Sequence, residues 1–155
     1  MNISTKSEYG LRALIYLASN SGLAGGREVI PAREIALKWN VPVKYLEQIL
    51  KTLKESGLVI SQMGIAGGYR LARPATLITA GEVIRVLDGR IAPMGCVSSY
   101  DYEPCEFEDA CGLKTLWARA RAALVGVLDQ TTIADLCTQA NQPNLVSLKS
   151  SSSHK

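Results

Sequence analysis

Apolar positions along the chain recur first with a helical and then with an extended period, and the change of period divides the sequence. Thr5-Lys6-Ser7-Glu8 has capping-box spacing, and Leu11, Leu14, Ile15 and Ala18 follow on one face, which predicts a helix of about four turns. Residues 20–28 carry no periodicity and read as a loop. Pro31 opens a second helix through Ile35, Ala36, Leu37 and Trp39, and Asn40-Val41-Pro42 stops it. Tyr45, Leu46, Ile49, Leu50 and Leu53 then keep helical spacing until Gly57. Two short helices joined by a tight turn form a helix-turn-helix candidate, with small Ala36 at the crossing and Asn40 able to take a positive φ.

After Gly57 the period becomes extended. Leu58–Gln62 and Tyr69–Ala72 are short β-prone runs, and Gly64-Ile65-Ala66-Gly67-Gly68 is a glycine-rich hairpin tip between them. A hairpin following a helix-turn-helix is a wing. Pro74 closes it, Thr79-Ala80-Gly81-Glu82 is a second capping box, and a helix through Val83, Ile84, Val86 and Leu87 ends at Gly89. Residues 1–89 therefore form a winged-helix unit. Residues 90–112 have no period but hold three cysteines, and Leu113, Leu116, Trp117, Ala120, Ala123, Leu124, Val127 and Leu128 describe a long amphipathic helix that calls for a pairing surface. Thr132 to Cys137 adds a turn or two to give a segment 113–140, and residues 141–155 read as a disordered tail. The expected fold is mainly α, a winged helix-turn-helix with a small β-hairpin wing and a long pairing helix.

At 155 residues the chain is too short for a multidomain enzyme, and with 47% hydrophobic against 20% charged residues it is too apolar for a disordered protein. No apolar stretch approaches the ~18 residues of a membrane span, and polar residues follow Met1, so a cytoplasmic location without membrane contact is expected. Four cysteines in a reducing compartment favour metal or redox chemistry over a disulfide framework. The overall charge of +3 is unevenly divided: residues 1–90 carry +5 and residues 91–155 carry −2. A basic front half suits a polyanionic partner. Asp101, Glu103, Glu106, Glu108 and Asp109 lie between Cys96 and Cys111 with no Lys or Arg among them.

The second helix of the pair would present Lys44, Tyr45, Glu47, Gln48, Lys51 and Lys54 to solvent. Gln48 can read adenine and Glu47 can accept from cytosine N4, while Tyr45 and the lysines suit phosphates. The alternative for each is an ordinary solvated helix face. The wing glycines lie between two strands, which disfavours a nucleotide-cradling loop. They serve either a plain hairpin turn or close approach to DNA, with Ser61, Gln62, Arg70 and Arg73 near enough to bond phosphates. Cys96, Cys105 and Cys111, spaced by eight and five residues, are soft ligands suited to an iron-sulfur cluster, zinc or copper(I). His154 lies in the tail, so a fourth ligand would be a loop carboxylate or Glu8, whose simpler reading is the capping box. Cys137 reads as a buried core cysteine.

The order and spacing of Tyr45-Leu46-Glu47-Gln48-Ile49-Leu50, Gly57-Leu58-Val59, Gly64 with Gly67-Gly68-Tyr69-Arg70-Leu71, Asp88-Gly89, the three cysteines and Leu116-Trp117 resemble the IscR/NsrR family of iron-sulfur winged-helix transcription regulators. The resemblance runs from Met1 to about Cys137. It implies a homodimer in which the long helix is the dimerisation helix, bound to a double-stranded operator that is an imperfect palindrome. It also implies an iron-sulfur cluster, 2Fe-2S favoured over 4Fe-4S, held by Cys96, Cys105 and Cys111 with a fourth ligand. IscR-like members have a histidine three residues after the last cysteine, where this chain has Lys114. NsrR-like members use an acidic residue of the partner's first helix, and Glu8 matches it. The interval of eight residues between Cys96 and Cys105 departs from the usual five. Two alternatives stand beside a cluster-controlled regulator: cysteines forming a zinc site or thiol redox switch on the same DNA-binding unit, and an iron-sulfur assembly or redox protein. No acid/base or nucleophile constellation points to an enzyme.

Overall fold

The structure, a computed structural model, describes residues 3–20 and 29–140, so the expected loop at 20–28 and the tail fall almost entirely outside the described residues. Helix α1 spans Thr5–Asn20, and its cap is Ser4 rather than Thr5. The Ser7 amide donates to Ser4 Oγ at 3.2 Å and the Glu8 amide to the Ser4 carbonyl at 3.0 Å. Asp88 imposes this register by accepting from the Ser4 amide at 2.9 Å and from the Ser4 hydroxyl. Glu8 therefore falls one position beyond a capping box, and its carboxylate pairs with Arg12 instead, at 2.6 Å.

Helix α2 (Ala32–Trp39) ends where Asn40 adopts φ 52°, ψ 47°, the left-handed conformation anticipated for that turn. The Val41 amide returns to the Ala36 carbonyl at 2.9 Å, and α3 (Val43–Glu55) starts three residues after Asn40. Strands β1 (Val59–Gln62) and β2 (Gly68–Leu71) pair antiparallel with Ile60 opposite Arg70 and Ser61 opposite Tyr69. A third piece of extended backbone joins them: Ile30 and Tyr69 exchange amide–carbonyl bonds of 2.9 and 2.8 Å. This explains the paired glycines of the wing. A Cβ on Gly68 would lie 2.5 Å from the Ile30 carbonyl, and one on Gly67 2.3 Å from the Gln62 carbonyl, so the absent side chains admit the protein's own backbone.

Helix α4 (Ala80–Asp88) has the expected Thr79 cap, which accepts from the Glu82 amide at 3.2 Å. The Glu82 carboxylate pairs with Arg73 rather than completing the box. Residues 90–111 are irregular apart from two single 3-10 turns, Gly95–Val97 and Glu108–Ala110. Helix α5 spans Gly112–Gln130 and α6 spans Ile133–Ala140. The chain doubles back between them, with the Ala80 amide bonded to the Thr131 carbonyl and the Ile133 amide to the Ile78 carbonyl, at 2.8 and 2.9 Å. Ile133 is thereby fully buried in the same core as Leu14, Leu17, Ile35, Ile49 and Leu53. Cys137 is half-buried against that core, its Sγ 3.6 Å from the Ile15 carbonyl, so it is less enclosed than a core cysteine.

Gly68→Ala should cost about 1–3 kcal/mol, the range for forcing extra atoms into packed structure, because the clash is with backbone that cannot rotate away. A lowered urea midpoint with an unchanged slope checks this. Asp88 supplies a pH test. Partial burial would raise its pKa, but the Ser4 hydroxyl and amide, with help from Lys6, outweigh burial and hold it below the ordinary carboxylate value. A depressed folded pKa contributes stability above the unfolded value of about 3.9 and loses it as pH falls through the folded value. The melting-temperature gap between wild type and Asp88→Asn should be constant from neutral pH down to about 5 and close below about 4.

Candidate nucleic-acid interface and cysteine loop

Helix α3 separates its faces cleanly. Leu46, Ile49, Leu50 and Leu53 are at most 1% exposed, while Lys44, Tyr45, Glu47, Gln48 and Lys51 are all exposed. Burying four such side chains at ~1.5–3 kcal/mol each fixes the helix's rotation, and with it the direction in which the polar residues point. Tyr45 is partly committed: its ring meets Tyr9 edge-on with centroids 6.1 Å apart, which leaves its hydroxyl end as the polar group on this face. The Gln48 carbonyl accepts from Thr52 Oγ1 at 3.2 Å, which leaves the Gln48 side-chain amide uninvolved in that bond. Lys51 has only a 4.0 Å approach to Glu55, and Lys44 and Arg70 form no ion pair among the described residues.

The hairpin divides its predicted contacts. Successive side chains alternate across a strand, so Gln62 and Arg70, both exposed, share the outer face with Ile60. Ser61 lies on the opposite, half-buried face beside Tyr69. Burial, and then the charge of Glu47, raise the Tyr69 pKa, which records how close α3 runs to the wing. Arg73 is held by Glu82. Sequence reasoning picked out the tip's glycines but passed over its apolar side chains, Met63 and Ile65, which are 89% and 110% exposed. Two apolar residues within a glycine-rich turn were the available signal.

The acidic loop is neutralised from its flanks. Arg90 reaches Glu103 at 2.8 Å and Asp101 at 3.7 Å, and Lys114 and the Tyr102 hydroxyl both donate to Glu108. Those bonds hold Glu108 below and Lys114 above their ordinary pKa values. Glu106 and Asp109 are the loop carboxylates without an ion pair among the described residues. Cys96 is half-buried in the first 3-10 turn, Cys105 is exposed, and Cys111 caps α5 half-buried; all are free thiols. Three unpaired thiols within one loop suit a soft metal or cluster in donor type. Among the described residues, however, no three Cys, His, Asp or Glu side chains converge into a metal-holding group. Glu8 lies on α1, exposed, with Arg12 also 5.4 Å from the Trp39 ring.

Helix α5 has no buried residue. Its apolar positions split into two stripes. Trp117, Leu124 and Leu128 are half-buried, whereas Leu113, Leu116, Ala120, Ala123 and Val127, at heptad spacing, are exposed.

Residues 3–139 match the profile of Rrf2, described as an iron-dependent transcriptional regulator. The chain belongs to the Rrf2 family. It is 41% identical over 138 residues to the HTH-type transcriptional regulator CymR of Bacillus subtilis, covering 89% of this chain and 91% of that protein. The solved structure of CymR, described as the global cysteine regulator of that organism, superposes with a TM-score of 0.74 over 90% of this chain and 98% of that one. The oxidised form of Staphylococcus aureus CymR, 39% identical, gives 0.68 over 88% and 96%. IscR of T. potens, 30% identical, gives 0.71 over 94% and 93%. This Rrf2-family chain is accordingly a winged-helix transcriptional regulator, a DNA-binding protein and not an enzyme. None of its described helices is long and apolar enough to cross a membrane.

Proposed function

We propose that this Rrf2-family regulator is a cytoplasmic homodimer that reads a palindromic operator and whose operator affinity is set by an iron-sulfur cluster on the cysteine loop. The observation that carries the DNA reading is the α3 face, where five polar side chains stand exposed over four buried leucines and isoleucines. Gln48 and Glu47 read base edges, while Lys44, the Tyr45 hydroxyl, Lys51, Gln62 and Arg70 bond phosphates; Ser61 contributes at most from the hairpin's inner face. Pro42 gives α3 no side-chain cap, and the Tyr45 and Leu46 amides donate to its carbonyl, so the Val43 and Lys44 amides are the ones open to a phosphate. The exposed stripe of α5 is the dimer contact, and a second copy covers it.

Cys96, Cys105 and Cys111 would hold the cluster, with Glu8 of the second copy as fourth ligand. A bound cluster supplies a redox-active, ligand-labile centre at the base of the dimer helix. Donor chemistry supports this reading, as does the likeness to an IscR. Ligation by Glu8 would require its carboxylate to leave Arg12. Lys114, bonded to Glu108, replaces the histidine of IscR-like members, and Glu106 and Asp109 are the remaining acidic candidates. A second reading is favoured by the exposure of Cys105 and the likeness to a regulator solved in an oxidised form: a thiol switch. In it, two loop thiols give two electrons and two protons to hydrogen peroxide, forming a disulfide and two waters.

Selection from random duplexes yields the operator. Gln48→Ala should narrow the affinity gap between operator and random DNA by about 1–3 kcal/mol, whereas Lys51→Ala and Arg70→Ala should weaken both alike and flatten the salt slope. Equal losses for Gln48→Ala would leave it a backbone contact. Anaerobic purification with iron and sulfide quantification and a visible spectrum tests the cluster. Replacing Cys96, Cys105 or Cys111 with Ala should abolish iron, Cys137→Ala should retain it, and Glu8→Gln should shorten cluster lifetime or shift the spectrum while sedimentation still shows a dimer. Colourless, iron-free protein whose operator affinity changes reversibly with peroxide and dithiothreitol would replace the cluster with the thiol switch.

A further inference from the structure

A pocket opens where the cysteine loop meets helices α4 and α5, away from the reading face and away from the exposed stripe of α5. Arg85 of α4 and Arg121 of α5 flank it, and Ser98, Ser99 and Tyr100, the residues that follow Cys96 and Val97, close its third side. Ile91 and Val125 supply its apolar contact. The hollow between them is open to solvent on one side and spans about 260 Å³, that opening included.

The lining contains two guanidinium groups and three hydroxyls and no carboxylate. Arg85 is anchored by Asp129 at 2.7 Å, which consumes part of its donor fork and fixes the remainder in place. Arg121 differs: its one hydrogen bond is to the Ser99 hydroxyl, and it forms no ion pair among the described residues. The positive charge of the pocket is therefore that of Arg121, half-buried on α5. Ser98 is 7% exposed, and its Oγ accepts from the Tyr100 and Asp101 amides at 3.3 and 3.1 Å. With both lone pairs engaged, what its hydroxyl has left to offer is a proton. The side chains lining the space thus offer two guanidinium groups and three hydroxyls able to donate. Of the loop's acids, Asp101 and Glu103 are directed to Arg90 and Glu108 to Lys114, and none of the five lines the pocket.

We propose that this pocket is a binding site for a small oxyanion, a tetrahedral inorganic anion or a free carboxylate, held by the Arg121 fork with Ser98, Ser99 and the free edge of Arg85. The inference goes beyond the operator-binding reading and does not depend on it. An anion held here bonds at once to α4 of the winged unit, to the segment after Cys96 and to α5, and so pins the cysteine loop against the long helix.

The test uses the full-length protein without DNA, titrated with sodium sulfate, sodium phosphate and sodium acetate in separate arms against sodium chloride of equal ionic strength. Binding is followed by the backbone amide shifts of residues 98–101 and 121. Saturable shifts are expected in at least one arm: with sulfate or phosphate they assign a tetrahedral ligand, with acetate alone a carboxylate. Arg121→Gln, a change to another good helix former, should weaken that binding about 10- to 100-fold, the worth of one charge-assisted hydrogen bond. Arg119→Gln, two residues away and exposed, should leave it unchanged. Shifts that follow ionic strength equally in chloride, or equal losses in both variants, would overturn the site, as would full affinity in Arg121→Gln.

Discussion

Helix α1 packs against α2, α3, α4, α6 and the second wing strand, and its inward residues Ala13, Leu14 and Leu17 keep no exposed surface. A helix buried on so many sides leaves its neighbours little freedom: each must turn its apolar stripe toward the same axis. For α3 that requirement buries Leu46, Ile49, Leu50 and Leu53 and commits the intervening residues to solvent. The exposed polar face of α3 is thus a consequence of core packing. The bonds from Ser4 to Asp88 and from Ile30 to Tyr69 extend the constraint outward, fixing α4 and the wing to the same centre.

Charge is distributed by the same logic. The cations next to the acidic loop, Arg90 and Lys114, are consumed by Asp101, Glu103 and Glu108, and Arg73 and Arg85 are consumed by Glu82 and Asp129. Lys44 and Arg70 on the reading side remain without ion pairs among the described residues. Exposed pairs of this kind contribute little to stability, about 0–1 kcal/mol each, so their effect is chiefly on where net positive potential survives. Arg121 of α5 is likewise without an ion pair among the described residues.

Helix α5 stands apart. Its inner stripe of Trp117, Leu124 and Leu128 is half-covered, its outer stripe is bare, and α6 leaves it to rejoin the common core through Ile133. This 19-residue helix has no buried side chain and leaves a contiguous apolar stripe exposed on the single chain. The segment bearing the three cysteines enters this helix directly, through Cys111 as its cap, so chemistry at the loop and the seating of α5 are mechanically one problem.

Periodicity alone determined the helices, the hairpin and the helix-turn-helix, because period 3.6 and period 2 are written into the order of apolar residues. It determined the Asn40 turn as well, since few residue types accept that backbone. The family was legible too, from motif order. Local spacing could not choose between Thr5 and Ser4 as the cap of α1, because the choice belongs to Asp88, more than eighty residues away. Nor could it tell that Gly67 and Gly68 make room for the Gln62 and Ile30 carbonyls, that Ser61 and Arg70 face opposite ways, or that Arg73 is already engaged. The α5 stripe read as one surface in sequence and became two in space, because the positions of α4 and of the 3-10 turn at Gly95–Val97 decide which side is covered. The donor pocket between Arg85 and Arg121 has no sequence signal at all. Its residues come from three segments, and only the tertiary structure brings their donors to one place while turning the intervening carboxylates away.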